Sequence, residues 1–322
     1  MKKPRILKAF DPDELARAHV LLASKIATMM GRKLEEGDWT EVYCLAKKIP
    51  SRGWSNLNID LMHGNLGVEH KMLCVRSSGD IRESCGTRLM HPAATRSIRI
   101  PDEKDPTKAA HAVIEQYAAV ILQRAARVKE NTGGSSADMR TGWLLWQESL
   151  RQFMYFEEEM RPPDPNDYYA EWKESGGGIR KKSRNLWVYE KATDLKIYSI
   201  TTTAGAKIQP YFDVPPANEP NLYVFIVQGE VLEDGNVRIW ISQTTARLLA
   251  QELGRLDSRT LSTAILEAAA KAPKTANSAT RSDDLAVEVV ISADAYQALQ
   301  TAFSGVSDEH RLQLFVKYLH GD

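Results

Sequence analysis

Asp60, Glu69 and Lys71 are the residues of this chain best suited by type and spacing to do chemistry. They flank Gly64-Asn65, a favourable two-residue hairpin loop, because glycine takes a positive φ without penalty and asparagine tolerates one. Folding the chain there sets His63 against Leu66, Leu61 against Val68 and Asp60 against Glu69. Directly opposed side chains of an antiparallel pair stand roughly 5 Å apart at Cβ. Two carboxylates so placed repel unless a cation or a shared proton relieves them. Lys71 shares the strand face of Glu69. Two acids and an amine in this arrangement can bind a divalent metal and handle a water. The same three groups can equally line a solvated polar face.

The flanking segments can supply a frame. Asp11 is a good N-cap before Pro12, and Leu15, Leu22, Ile26 and Met29 give the apolar stripe of a first helix ending at Gly31. Residues 38–46 predict a second helix and residues 106–128 a long one. Trp143-Leu144-Leu145-Trp146 predicts a buried strand, and residues 153–160 a further helix. The Pro-rich run at 161–167 is the best boundary candidate. Strands are expected at 186–189, 196–202, 207–211, 222–227 and 237–241, the last two as a hairpin across Glu233-Asp234-Gly235-Asn236. Two helices (244–253 and 258–271), a polar linker (273–283), a strand (287–291) and two more helices complete the chain.

Composition narrows the function classes. Lys and Arg number 42 and Asp and Glu 42, so the net charge is zero. That argues against a nonspecific nucleic-acid coat, while local basic surface can still meet phosphates. No apolar run reaches the ~20 residues of a membrane helix, so no membrane partner is expected. The basic start, Met1-Lys2-Lys3-Pro4-Arg5, lacks an apolar signal core. Cys44, Cys74 and Cys85 have no metal-type spacing and suit reduced thiols in the cytoplasm. No G-x-x-x-x-G-K-[ST] loop is present, so no nucleotide cofactor is expected.

The order helix, helix, hairpin with Asp and Glu-x-Lys, long helix, apolar strand resembles the catalytic core of the PD-(D/E)XK nucleases, among them the type II restriction endonucleases. The resemblance spans roughly residues 11–147, with Asp60, Glu69 and Lys71 at the motif positions and Ile59 in place of the family's proline. It implies an α/β (α+β) fold with a restriction-endonuclease-like mixed central sheet flanked by helices, to which the elements read beyond residue 161 add a strand-rich second half and a helical C-terminal region. It also implies Mg²⁺ held by Asp60, Glu69 and the His70 backbone carbonyl, with Glu41 as a further helix acid and Lys71 orienting the water. The implied activity is sequence-specific hydrolysis of double-stranded DNA that leaves 5′-phosphate ends, by a homodimer.

Recognition of bases has to come from other residues. Arg180, Lys181, Lys182 and Arg184 form the densest basic cluster, and Lys207 and Gln209 share a strand face from which they can reach base edges. A solvated charge run accounts for the cluster equally well, and ordinary strand residues account better for Lys207 and Gln209. Asp194 and Lys196 form a rival D-x-K without an opposed carboxylate. The expected division is a catalytic core at 1–160, a strand-rich DNA-recognition region at 161–272 and a small C-terminal α/β segment at 273–322. A repair or recombination nuclease, or a DNA-binding regulator without an active site, are the alternatives.

Overall fold

A computed structural model describes residues 4–29, 33–50, 59–76, 79–92, 98–131, 133, 136–175, 183–202, 207–271 and 285–321. It opens with strand β1 (Ile6–Leu7), helix α1 (Pro12–Thr28) and helix α2 (Glu36–Ala46). Asp11 caps α1 as its sequence requires. Its carboxylate accepts from the Glu14 N–H at 2.7 Å, and Glu14 accepts from the Asp11 N–H at 3.0 Å. The hairpin β2 (Leu61–His63) and β3 (Leu66–Val75) follows, then β4 (Arg88–Met90) and the long α3 (Pro106–Asn131). Next come β5 (Asp138–Gln147), β6 (Gln152–Glu159), β7 (Tyr168–Ser175), β8 (Ser183–Glu190), β9 (Lys196–Thr201), β10 (Lys207–Asp213) and β11 (Tyr223–Ile226). The chain ends with β12 (Glu230–Val231), β13 (Val237–Ser242), α4 (Gln243–Leu253), α5 (Ser258–Ala269), β14 (Ala286–Ile291), α6 (Ala293–Ala302) and α7 (Asp308–His320).

The fold is of the mixed α/β class. Its central sheet has the order β1-β6-β5-β3-β2, with β11 also paired to β6. β3 and β5 run parallel, Glu69 beside Thr141 and Lys71 beside Trp143, and α3 is the crossover between them. α1 and α2 cover one face through Leu22, Ile26, Trp39 and Tyr43, which pack on Val68, Leu144, Phe153 and Tyr155. The other face meets α3 and a second sheet, β4-β10-β9-β8-β7, where Phe212 stacks on Trp143 with ring centroids 3.9 Å apart. A third sheet, β12-β13-β14, packs with α4 to α7 around Ile239, Leu261, Leu299 and Phe315.

Gly67 sets how closely α3 approaches the hairpin. A Cβ there would lie 2.8 Å from Val128 of α3 and 2.9 Å from both Ile59 and Met139. Gly67→Ala therefore forces the helix and strand apart. It is expected to lower stability by about 1–3 kcal/mol in urea unfolding, the usual cost of overpacking a tight contact.

Two expectations are corrected, and β7 is an element the sequence reading lacks. Residues 153–160 are not helical but form β6. Its five consecutive buried residues, Phe153 to Glu157, belong to a central strand covered on both faces, and helical spacing cannot be distinguished from that in so short a run. The strand at 222–227 does not pair with the one at 237–241. β11 joins the central sheet, and the Asp234-Gly235 turn closes β12 on β13 instead. β7 carries no turn signal of its own in the sequence, yet pairs along its whole length with β8. Strand pairing also crosses both expected divisions, because β11 joins the first region's sheet, β4 joins the second region's, and β13 pairs with β14. The linker at 273–283 lies outside the described residues.

Candidate active site

The hairpin has the predicted register at His63 opposite Leu66 and Leu61 opposite Val68, but the ladder stops at Leu61, so Asp60 is not paired opposite Glu69 as expected. Gly64 alone takes the positive φ, at 55°. Past Leu61 the first strand ends, which leaves the edge of β3 open from Glu69 onward. Side chains take over there. The His70 N–H donates to Asp60 Oδ2 at 2.7 Å, and Glu36, the first residue of α2, accepts from the Met72 N–H. His91 Nε2 lies 2.8 Å from the Met72 carbonyl. A residue's N–H and C=O point the same way across a strand, so the His70 carbonyl faces the same edge as Asp60.

Glu69 and Lys71 project from the adjoining face, under α3. Lys71 Nζ lies 2.7 Å from Glu69 Oε1, and Arg124 Nη1 of α3 lies 3.2 Å from Glu69 Oε2. Three acids, Asp60, Glu69 and Glu36, thus share two cations. Burial, and then the charge of Glu69, pushes the Asp60 carboxyl up to about 6, against the pull of Lys71 and of the His70 N–H. Burial also raises Glu36. Lys71 loses solvation too, but Glu69, Glu36 and Asp60 outweigh that loss and hold its ammonium above the ordinary lysine value. Along the same face Glu69, Thr141 and Glu158 form a cross-strand row, and burial pushes Glu158 up to about 7 while the Trp143 indole N–H donates to it at 2.8 Å.

The His70 side chain turns to the opposite face and is completely buried. Thr40 Oγ1 lies 2.8 Å from its Nδ1, and the rings of Trp39, Tyr43 and Tyr155 surround it. Burial draws its pKa down to about 3, so the ring is a neutral anchor. It fixes the stretch of backbone from which Glu69 and Lys71 spring. Gly142 of β5 leaves space for this ring, since a Cβ there would come within 2.8 Å of it.

Among the described residues no group of three or more His, Cys, Asp or Glu side chains is arranged to hold a metal ion. The set fitted to one here is smaller: the carboxylates of Asp60 and Glu69 with the His70 carbonyl. All three are hard oxygen donors, which Mg²⁺ prefers, and the charge repulsion among the acids is what a divalent cation relieves.

The other residues expected at the site are dispersed. Glu41 is not brought to it. Its carboxylate pairs with Lys25 at 2.6 Å on the outer side of α2, and Glu36, one turn and a half earlier, occupies the place the resemblance gives to a helix acid. Arg180, Lys181 and Lys182 lie outside the described residues. Arg184 stacks its guanidinium 3.8 Å above the Trp172 ring. Lys207 and Gln209 do share the outward face of β10, with Ile208 buried between them. That face carries a ladder in which Lys196 lies 3.7 Å over Trp187 and 4.9 Å over Tyr211. The aromatic faces are therefore covered by cross-strand neighbours. Asp194, in the turn before β9, accepts from the Tyr169 hydroxyl, and Lys196 is engaged in the ladder, so the rival D-x-K does not assemble.

Glu36 and Arg124 were the residues sequence reasoning missed. Arg124 leaves a trace, since it interrupts the α3 stripe Tyr117, Ile121, Val128 that otherwise faces the sheet. Glu36 leaves none, because an acid in the first turn of a helix is ordinary. Compared with known proteins, the chain matches no protein-family model, no curated protein and no solved structure.

Proposed function

We propose that the chain is a Mg²⁺-dependent endodeoxyribonuclease of the PD-(D/E)XK kind, cutting double-stranded DNA at specific sequences as a type II restriction endonuclease does. The observation that carries this reading is the corner at the end of the hairpin. Asp60 accepts from the His70 N–H there on the open edge of β3, and Glu69 and Lys71 rise from its face. Asp60, Glu69 and the His70 carbonyl would hold the ion. When bound, it would polarise the scissile phosphate and make a nearby water more acidic. Lys71, kept protonated by its acid neighbours, would orient that water and stabilise charge growing on the phosphoryl oxygens. The His70 ring holds the strand so that these groups stay aligned. Two copies would be needed to cut both strands of a palindromic duplex. Lys207, Gln209 and Arg184 are the described candidates for DNA contact. Among the described residues no helix is long and apolar enough to cross a membrane.

One observation favours the alternative of a DNA-binding regulator without chemistry: both oxygens of Glu69 are already paired with cations. Plasmid DNA separates the readings. Discrete fragments with 5′-phosphate ends in Mg²⁺ support a restriction enzyme. Cutting of branched or damaged substrates alone would point to repair or recombination. DNA binding indifferent to Mg²⁺, with no cutting across a varied DNA panel, would leave the regulator.

A further inference from the structure

We propose that Arg124 is a stand-in for the metal: it neutralises Glu69 in the ion-free protein and moves to the DNA phosphate when the ion takes its place. The inference rests on the metal-site reading above and adds a residue that the motif does not contain. Glu69 has two oxygens and two cations, Lys71 on Oε1 at 2.7 Å and Arg124 on Oε2 at 3.2 Å. An ion bound by Glu69 competes with both of them for the charge and lone pairs of the carboxylate. Lys71 stands two residues away on the same strand face and is attracted by Glu36 and Asp60 as well, so it stays. Arg124 holds Glu69 by the longer contact, and its Nε is buried with no hydrogen-bond partner among the described residues. Its position on Glu69 therefore leaves its fork partly unused. A guanidinium fork matches a phosphate through two parallel N–H donors, which the present contact does not provide.

The expected behaviour is coupling between ion and DNA. DNA draws Arg124 away and frees Glu69, so each ligand strengthens the other. Mn²⁺ binding, followed by electron paramagnetic resonance with and without duplex DNA, tests it. Arg124→Gln should bind Mn²⁺ about tenfold more tightly than wild type in the absence of DNA, the equivalent of one lost competing charge pair. It should lose the DNA-induced enhancement and cut DNA more slowly at saturating Mn²⁺. Arg124→Lys should restore weak ion-free affinity, because the charge is kept. A purely structural role for Arg124 would instead weaken Mn²⁺ binding in Arg124→Gln, and that result, or an unchanged affinity, would overturn the proposal. Asp60→Asn is the control. If wild type and Asp60→Asn bind Mn²⁺ equally, the metal-site reading falls and takes this inference with it. If Asp60→Asn loses the ion while Arg124→Gln gains nothing, only the role of Arg124 is rejected.

Discussion

Lys71→Ala is expected to slow DNA hydrolysis by about 10²–10³-fold and, at pH 8, to cost about 2–4 kcal/mol of stability. The first effect follows from losing the donor beside the water and the phosphoryl oxygens. The second follows from what surrounds the amine. Glu69, Glu36 and Asp60 all raise its proton affinity, so removing it leaves three partly buried acids, of which Glu69 keeps Arg124 as its partner. In the variant Asp60 and Glu36, both already raised by burial, are held further above their ordinary values. Stability is then lost as the pH climbs through the folded values and is regained below them, as the carboxyls take up protons. Urea unfolding at pH 8 and pH 5 should show a large deficit at the first and a small one at the second. An equal deficit at both would mean that the lysine acts through packing rather than charge.

Asp60→Asn should do the opposite to stability and the same to activity. The Asp60 carboxyl has an ordinary value of 3.8 and is pushed up to about 6 in the folded protein. An acid raised on folding binds more protons in the native state between those two values, so its contribution to stability falls as the pH rises through that window. Asparagine removes the charge while still accepting from the His70 N–H. The variant should therefore be more stable than wild type by roughly 1–3 kcal/mol at pH 7–8, a gain that disappears below about pH 4. It should also lose Mg²⁺-dependent cleavage. Opposite signs for stability and activity are the mark of strain held at a working site. A loss of both together would make Asp60 a structural residue that closes the β3 edge.

The hairpin was legible because every signal for it is local. Gly64-Asn65 specifies the turn, the turn specifies the register, and the register brings Asp60 to the corner beside Glu69. The long helix α3 was legible from its stripe, and β5 from its apolar run. What the sequence conceals depends on contacts distant along the chain. β6 has a run of buried residues whose period is ambiguous until β5 and β11 are seen on either side of it. Glu36 and Arg124 reach the site because α2 begins against the open edge of β3 and α3 crosses over Gly67, and neither approach is written in spacing alone. Glu41 looked suitable by its place in a helix, yet α2 is rotated so that this position faces Lys25.

The most direct measurement of the central claim is cleavage of supercoiled plasmid by wild type and by Glu69→Gln, each at matched folded concentration, with Mg²⁺ and with the ion chelated. Wild type should give discrete Mg²⁺-dependent fragments bearing 5′-phosphates, and Glu69→Gln should give none. Cutting by Glu69→Gln at the wild-type rate, or wild-type cutting that persists without a divalent ion, would contradict the account.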